Sequence, residues 1–114
     1  MMIEATIISY LVGKTAAGND VYAEIPAKQP DMFIVIEKTG STTSDRITTS
    51  TIAVKSHAPS LLQAAALNEG VKAVMDQLPV LGDIAACKLN SDYNFTDSTS
   101  KQYRYQAVFQ VTHY

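Results

Sequence analysis

The chain has 114 residues, of which 46% are hydrophobic and 18% charged, and its formal net charge is −2. This length and balance predict one folded domain spanning residues 1–114 and exclude a disordered chain. The nine Lys and Arg residues are not clustered, so we expect no direct binding to nucleic acid. The first apolar stretch is too short for a bilayer and carries Glu4, so we expect neither a signal peptide nor a membrane anchor.

The N-terminal third predicts a helix followed by two strands. Apolar residues at helical spacing indicate a short amphipathic helix over residues 2–12 that ends near Gly13. Weak alternation predicts a short strand over residues 21–25. The apolar run over residues 32–37, MFIVIE, is typical of a strand buried within a sheet.

Residues 39–45, TGSTTSD, are polar and predict a flexible loop. The next segment, residues 46–56, is rich in β-branched residues and predicts a strand with Ile52 and Val54 on one face. Together with the preceding strand it predicts a hairpin with a long, mobile tip.

A second helix is predicted from Ser60 to Leu78. Ser60 and Gln63 fit a capping box, in which each side chain binds a backbone N–H at the start of the helix. Gly70 inside the helix suggests close contact with a strand. The predicted buried stripe consists of Leu61, Ala64, Leu67, Val71, Val74 and Leu78.

The C-terminal quarter predicts a second hairpin, with strands over residues 84–95 and from residue 103 onward joined by the turn at 96–101. In the first strand the expected core-facing residues are Ala85, Cys87 and Leu89. The last strand alternates, and its predicted core side is Tyr103, Tyr105, Ala107, Phe109 and Val111. The element order predicts an α+β fold: a mixed, mainly antiparallel sheet of about four to five strands with two helices packed on one face.

The residues with reactive side chains favour structural roles. GKT at residues 13–15 lacks the rest of a phosphate-binding loop, so Gly13 is interpreted as a helix-ending glycine. His57 and His113 have no partners at metal-ligand spacing, so we expect no metal or other cofactor. Cys87 is interpreted as a core residue, and Asp92 and Asp97 as turn-capping residues. No catalytic residue is expected.

Three segments resemble a known family. They are FIVIEKTG at residues 33–40, the strand and helix RITTSTIAVKSHAPSLLQAAALNEGVKAVM at 46–75, and the C-terminal LNSDYNFTDSTSKQYRYQAVFQVTHY. In this order and spacing the chain resembles the tail terminator (tail completion, or minor tail component) proteins of tailed bacteriophages and prophages.

The resemblance implies a structural virion protein without enzymatic activity. Six subunits would form a ring on the head-proximal end of the tail tube, stop its polymerisation and bind the head completion or connector protein. The ring would be assembled in the host bacterial cytoplasm and remain in the virion tail. The resemblance implies contacts through the hairpin tip, and the polar face of the last strand is the second expected surface. The candidate interface residues are Lys38, Thr39, Thr42, Thr43, Asp45, Arg46, Arg104, Gln106 and Gln110.

Three alternatives remain open from the sequence. One is another head–tail connector or minor tail protein with the same fold class. The others are a small oligomeric enzyme with its site between subunits and a stand-alone binding module. A pocket with a raised-pKa carboxyl group would favour the enzyme, and a stable monomer would favour the binding module.

Overall fold

The computed structural model describes residues 2–100 and 102–114, so Lys101, in the predicted turn at 96–101, lies outside the described residues. The elements in chain order are α1 (Ile3–Leu11), β1 (Val21–Tyr22), β2 (Phe33–Ser44), β3 (Ile47–Ala58), α2 (Leu61–Met75), a 3-10 turn (Leu78–Val80), β4 (Ile84–Asn94) and β5 (Tyr103–His113).

The five strands form one sheet in the order β1-β2-β3-β5-β4. Only the β1–β2 pair is parallel, and the pairs β2–β3, β3–β5 and β4–β5 are antiparallel. Both helices contribute to one core cluster with the side chains of a single sheet face. The predicted α+β fold with a mixed, mainly antiparallel sheet and two helices is therefore confirmed.

The two helices begin and end largely as their sequences predict. Helix α1 is followed by Gly13 at φ +77, a left-handed conformation that glycine adopts without steric cost. At the start of α2, the Ser60 hydroxyl oxygen accepts a hydrogen bond from the Gln63 backbone N–H at 3.3 Å. The Gln63 side-chain oxygen accepts a hydrogen bond from that hydroxyl at 2.9 Å, so the two side chains of the capping box bind each other.

The core lies between the helices and the middle of the sheet. Ile52 and Val54 on β3 and Phe109 on β5 are at most 2% exposed, and all three face α2. β5 alternates as predicted, although Tyr103 and Tyr105 are only half-buried. The fully buried large side chains are Phe109, Ile3, Ile7, Leu11, Ile34, Ile36, Ile52, Val54, Val71, Met75, Leu78 and Val111.

The prediction of a flexible loop at residues 39–45 is wrong. Residues 39–44 extend β2, and Thr43 pairs with Thr48 of β3 through a 3.0 Å hydroxyl–hydroxyl contact. The connection is a two-residue turn at Asp45 (φ 51) and Arg46 (φ 68). Polar threonines retain high strand propensity, and this turn lacks the Asn-Gly or Asp-Gly sequence that would have marked it.

Smaller predictions about single elements also need correction. β1 has two residues, Val21–Tyr22, instead of the predicted strand over residues 21–25, because its pairing with β2 stops at Tyr22. Helix α2 ends at Met75, with Leu78 in the following 3-10 turn. In α2, Leu61 is 40% exposed, whereas Asn68 is 2% exposed. A Cβ added at Gly70 would have no neighbour within 4 Å, so the expected close strand contact is absent.

Phe109→Ala tests the importance of the central core. Phe109 is 2% exposed and packs where α2 crosses the sheet, so truncation leaves a cavity that the surrounding strands cannot fill. We expect the free energy of unfolding to fall by about 3–5 kcal/mol in urea denaturation. A loss below about 1 kcal/mol would contradict this placement of Phe109.

Arg46→Gly tests the turn. Arg46 has a positive φ, which costs a residue with a Cβ about 1–2 kcal/mol and glycine little. After allowing for the greater flexibility of glycine in the unfolded chain, we expect the free energy of unfolding to rise by about 0.5–1 kcal/mol. Thr42→Gly, within the paired strand, is the matched control and should lower it.

Candidate assembly surfaces

The sheet has one face that the helices do not cover, and we call it the open face. On β5 its side chains alternate with the buried Ala107, Phe109 and Val111, and all are half-buried. They are Arg104, Gln106, Val108, Gln110 and Thr112. The open face is therefore polar with an apolar centre, a composition common in surfaces that bind other proteins reversibly.

Hydrogen bonds between strands hold several of these polar side chains in place. The Lys55 ammonium on β3 lies 2.8 Å from the Glu37 carboxylate on β2. The Gln106 side-chain amide donates to the Tyr93 hydroxyl at 2.8 Å, and the Thr51 hydroxyl donates to the Gln110 oxygen at 3.3 Å. A pre-ordered surface loses less side-chain entropy when a partner binds.

Arg104 connects β5 to the end of β4. Its Nε donates to the Phe95 carbonyl oxygen at 2.8 Å, and its guanidinium carbon lies 4.7 Å from the centre of the Phe95 ring. Phe95 packs edge-to-face with Tyr93 at 6.0 Å between ring centres, and both residues are 42% exposed. An exposed aromatic pair beside an immobilised arginine combines three residue types enriched at protein interfaces.

The structure brings only some of the predicted interface residues together. The strand register places Thr42 on the open face with Arg104, Gln106 and Gln110. Lys38 pairs with the buried Ile52 and so lies on the helix-covered face, and Thr43 lies on that face too. Asp45 and Arg46 form the turn, and Thr39 is the extra residue at a β-bulge.

Sequence reasoning missed Tyr93 and Phe95 as surface residues. The register of β4 shifts between Leu89 and Ser91, which interrupts the two-residue alternation on which facing was predicted. Ala85, expected in the core, lies at a second shift between Ile84 and Ala86 and is exposed. The only available signal was the density of aromatic residues in this hairpin.

Asp92 connects the sheet to α2 rather than capping a turn. It lies within β4, and its carboxylate accepts hydrogen bonds from the Asn68 amide and the Lys72 ammonium, both at 2.9 Å. Hydrogen bonding to Asp92 and Glu69 raises the pKa of Lys72. The prediction of a turn at Asp92 is therefore wrong, because the adjacent polar residues continue the strand.

Two other side chains have their predicted structural roles. Asp97 accepts from the backbone N–H groups of Thr99 and Ser100, and hydrogen bonds from Ser100 and Thr99 lower its pKa. Cys87 packs against the core, and burial, with a contribution from Asp76, raises its pKa to about 12. A thiol with that pKa is a poor nucleophile at neutral pH.

His57 lies at the end of β3, stacked on Phe33 with 4.3 Å between ring centres and 10° between planes. A small cavity of about 130 Å³ beside it is also lined by Asp31 and Tyr103. Burial, together with the positive charges of Arg104 and Lys55, lowers the pKa of His57 to about 4. His57 is thus a neutral, packed residue at physiological pH.

An open groove of about 460 Å³ lies between the start of α2 and the β4–β5 connection, lined by Leu61, Asn94, Thr96, Ser98 and Tyr103. Within residues 2–100 and 102–114, no three His, Cys, Asp or Glu residues are grouped to hold a metal ion. None of the helices in that part of the chain is long and apolar enough to cross a membrane.

A scan against protein-family models finds no match for the chain, and a search of curated proteins finds no similar sequence. The comparisons therefore do not test the expectation of an assembly role.

The pH dependence of stability tests the environment of His57. The pKa of His57 is about 4 in the folded chain and 6.5 in the unfolded chain. As the pH falls from 6.5 to 4, the unfolded chain therefore binds a proton that the folded chain does not yet bind. The stability contribution is fully present above pH 6.5 and is lost as the pH falls to about 4. We expect a loss of about 2–3 kcal/mol over this range from His57.

Urea denaturation of the wild type and of His57→Gln at several pH values measures this contribution as a difference. The carboxyl groups titrate in both proteins, so the difference between the two curves isolates the histidine. Parallel curves between pH 6.5 and 4 would contradict the packed, neutral state of His57.

Proposed function

We propose that this chain is a structural virion protein of a tailed phage or prophage. It forms a ring, six subunits in the working model, on the head-proximal end of the tail tube. The ring stops polymerisation of the tube protein and binds the head completion or connector protein. The protein acts in the virion tail, assembled in the host cytoplasm, without catalytic residues or a cofactor.

The observation that carries the proposal is the open face. A sheet covered on one side by helices exposes a second side, and here that side has ordered polar groups around Val108 and the exposed Tyr93 and Phe95. Aromatic side chains contribute most to interface energy when a partner desolvates them. This favours a protein that works by contact with other chains.

A ring also needs a second, different surface, because head-to-tail contacts join two distinct patches of each subunit. The distal part of β2, from Glu37 to Ser44, is exposed on both of its faces and lies at an edge of the sheet. This segment supports the second contact implied by the resemblance, although it is a paired strand and not the mobile loop that the sequence predicts.

The groove beside Leu61 favours one alternative, a stand-alone binding module. Leu61 and Leu62 at the start of α2 are 40% and 83% exposed, and the groove could accept an apolar segment of another protein. A stable monomer that does not bind tail-tube protein would favour this alternative.

The proposal is tested with the tail-tube protein of the same phage or prophage. Purified tube protein is polymerised with increasing amounts of this chain, and tube lengths and end structures are measured by electron microscopy. We expect elongation to stop at a low ratio of chain to tube protein, with one ring on each capped end. Native mass across a concentration series shows whether the ring also forms alone. Unchanged tube lengths without bound rings would refute the proposal.

Arg104→Glu tests the open face directly. The reversed charge removes the contact with Phe95 and places a carboxylate beside the exposed aromatic pair, so we expect at least a tenfold loss in the tube-capping activity. Asp76→Lys at the end of α2 is the control, because it reverses a charge of equal size on the helix-covered side. If Arg104→Glu caps tubes as well as this control does, Arg104 does not belong to the interface. Circular dichroism of both variants confirms that they fold.

A further inference from the structure

The outer edge of β2 has no neighbouring strand over most of its length. β1 pairs only with Ile34 and Val35, and β3 occupies the other edge. Across residues 2–100 and 102–114, the sheet order places nothing beside β2 beyond Val35. Every residue from Glu37 to Ser44 is exposed. Unpaired N–H and C=O groups on such an edge can accept another strand.

The turn determines which backbone groups face this edge. In a two-residue turn with positive φ at both positions, the flanking residues Ser44 and Ile47 form a hydrogen-bonded pair. Hydrogen-bonded and non-hydrogen-bonded pairs alternate along antiparallel strands, so Thr43 and Ser41 direct their backbone groups outward. The 3.0 Å contact between the Thr43 and Thr48 hydroxyls fits the closer spacing of a non-hydrogen-bonded pair.

The β-bulge lengthens by one residue the spacing between residues whose backbone groups face the outer edge. The register passes from Lys38 opposite Ile52 to Gly40 opposite Thr51, which leaves Thr39 as the extra residue. The next outward-facing residue before Ser41 is therefore Lys38, three positions away instead of two.

We propose that β2 of a second copy of this chain pairs antiparallel with this edge, about a twofold axis at Thr42. Ser41 then lies opposite Thr43 of the second copy. Because Thr39 is bulged, Lys38 lies opposite Asp45 of the second copy. Arg46 of that copy lies in the turn beyond the paired strand, where its long side chain reaches toward Glu37. The twofold axis repeats each opposite-charge pair, which gives four charge pairs at the ends of an uncharged Thr/Ser/Gly segment.

The charge order identifies a second copy as the partner. The segment EKTGSTTSDR carries an acid and a base at each end, in the order acid–base at both. Antiparallel pairing about Thr42 matches unlike charges, whereas parallel in-register pairing would place each charge against itself. Glu37 already binds Lys55 at 2.8 Å, so Arg46 of the second copy would join an existing ion pair.

This contact differs from the proposed ring contact. It uses the same patch on both copies, whereas a ring joins two different patches. Because the proposed ring contact also uses the distal part of β2, this pairing links two free subunits, and it exists without tail-tube protein. The interface is short, so we expect a weak dimer that is populated at high protein concentration.

Cysteine cross-linking tests the pairing. Thr42 forms a hydrogen-bonded pair with β3, so across the axis two Thr42 residues form a non-hydrogen-bonded pair with Cα atoms about 4.5 Å apart. This separation suits a disulfide. Thr42→Cys should therefore form a covalent dimer rapidly under mild oxidation, as measured on a non-reducing gel.

Ser44→Cys is the matched control. Ser44 lies opposite Gly40 of the second copy, so two Ser44 residues are four positions apart, or about 13 Å, which exceeds the reach of a disulfide. Both variants keep Cys87, so they differ only in the position of the added thiol. Equal cross-linking of the two variants, or none with Thr42→Cys, would overturn the proposal.

Exchange of the charges tests the register independently. Lys38→Glu and Asp45→Lys each place like charges together, and we expect each to reduce the dimer fraction at least fivefold in sedimentation velocity. The double variant restores opposite charges and should recover most of the dimer. Recovery supports the pairing, because loss of folding in the single variants would not be reversed by a second charge change. Single variants with unchanged dimer fractions would overturn the register.

Discussion

The packing of α2 against the two central strands organises this molecule. β3 and β5 pair along nearly their whole lengths, and Ile52, Val54 and Phe109 form an apolar stripe that the helix covers. The alternation of strand side chains then requires the intervening residues to occupy the opposite face. Both helices cover the same face, so the part of the opposite face on β5 stays partly exposed, and the proposed contacts use that part. The open face is thus a direct consequence of where the core lies.

Polar contacts around this core restrict how its parts can move. Asp92 holds β4 to α2 through Asn68 and Lys72, and the Tyr10 hydroxyl donates to the Val74 carbonyl oxygen at 2.9 Å to join the helices. On the open face, Arg104 and Gln106 are held by residues of the β4 hairpin. The candidate assembly surface is consequently attached to strands that these contacts hold together, which suits the proposed role of binding other chains.

The sequence contains the information for the helices and the core face of β5, but less for the rest. The Ser60 cap and the alternation around Phe109 are local patterns, and both are present in the structure. The distal part of β2 was missed because the turn that pairs its threonines with β3, at Asp45 and Arg46, lacks a recognisable hairpin sequence. Of the candidate interface, Thr42, Arg104, Gln106 and Gln110 share a face. Thr43 does not, because it is adjacent to Thr42 and neighbouring strand residues face opposite sides. Lys38 does not, because the β-bulge at Thr39 is an insertion that local sequence does not reveal.

The division of β2 into a buried half and an exposed half has a consequence for its dynamics. Phe33–Ile36 are buried, whereas all later residues of the strand are exposed. Amide protons of the first half can exchange with solvent only when the sheet opens. In the second half, the amide protons that bond to β3, such as that of Thr42, exchange whenever the hairpin end frays. One strand therefore belongs to two cooperative units, and rearrangement of its distal half is compatible with an intact core.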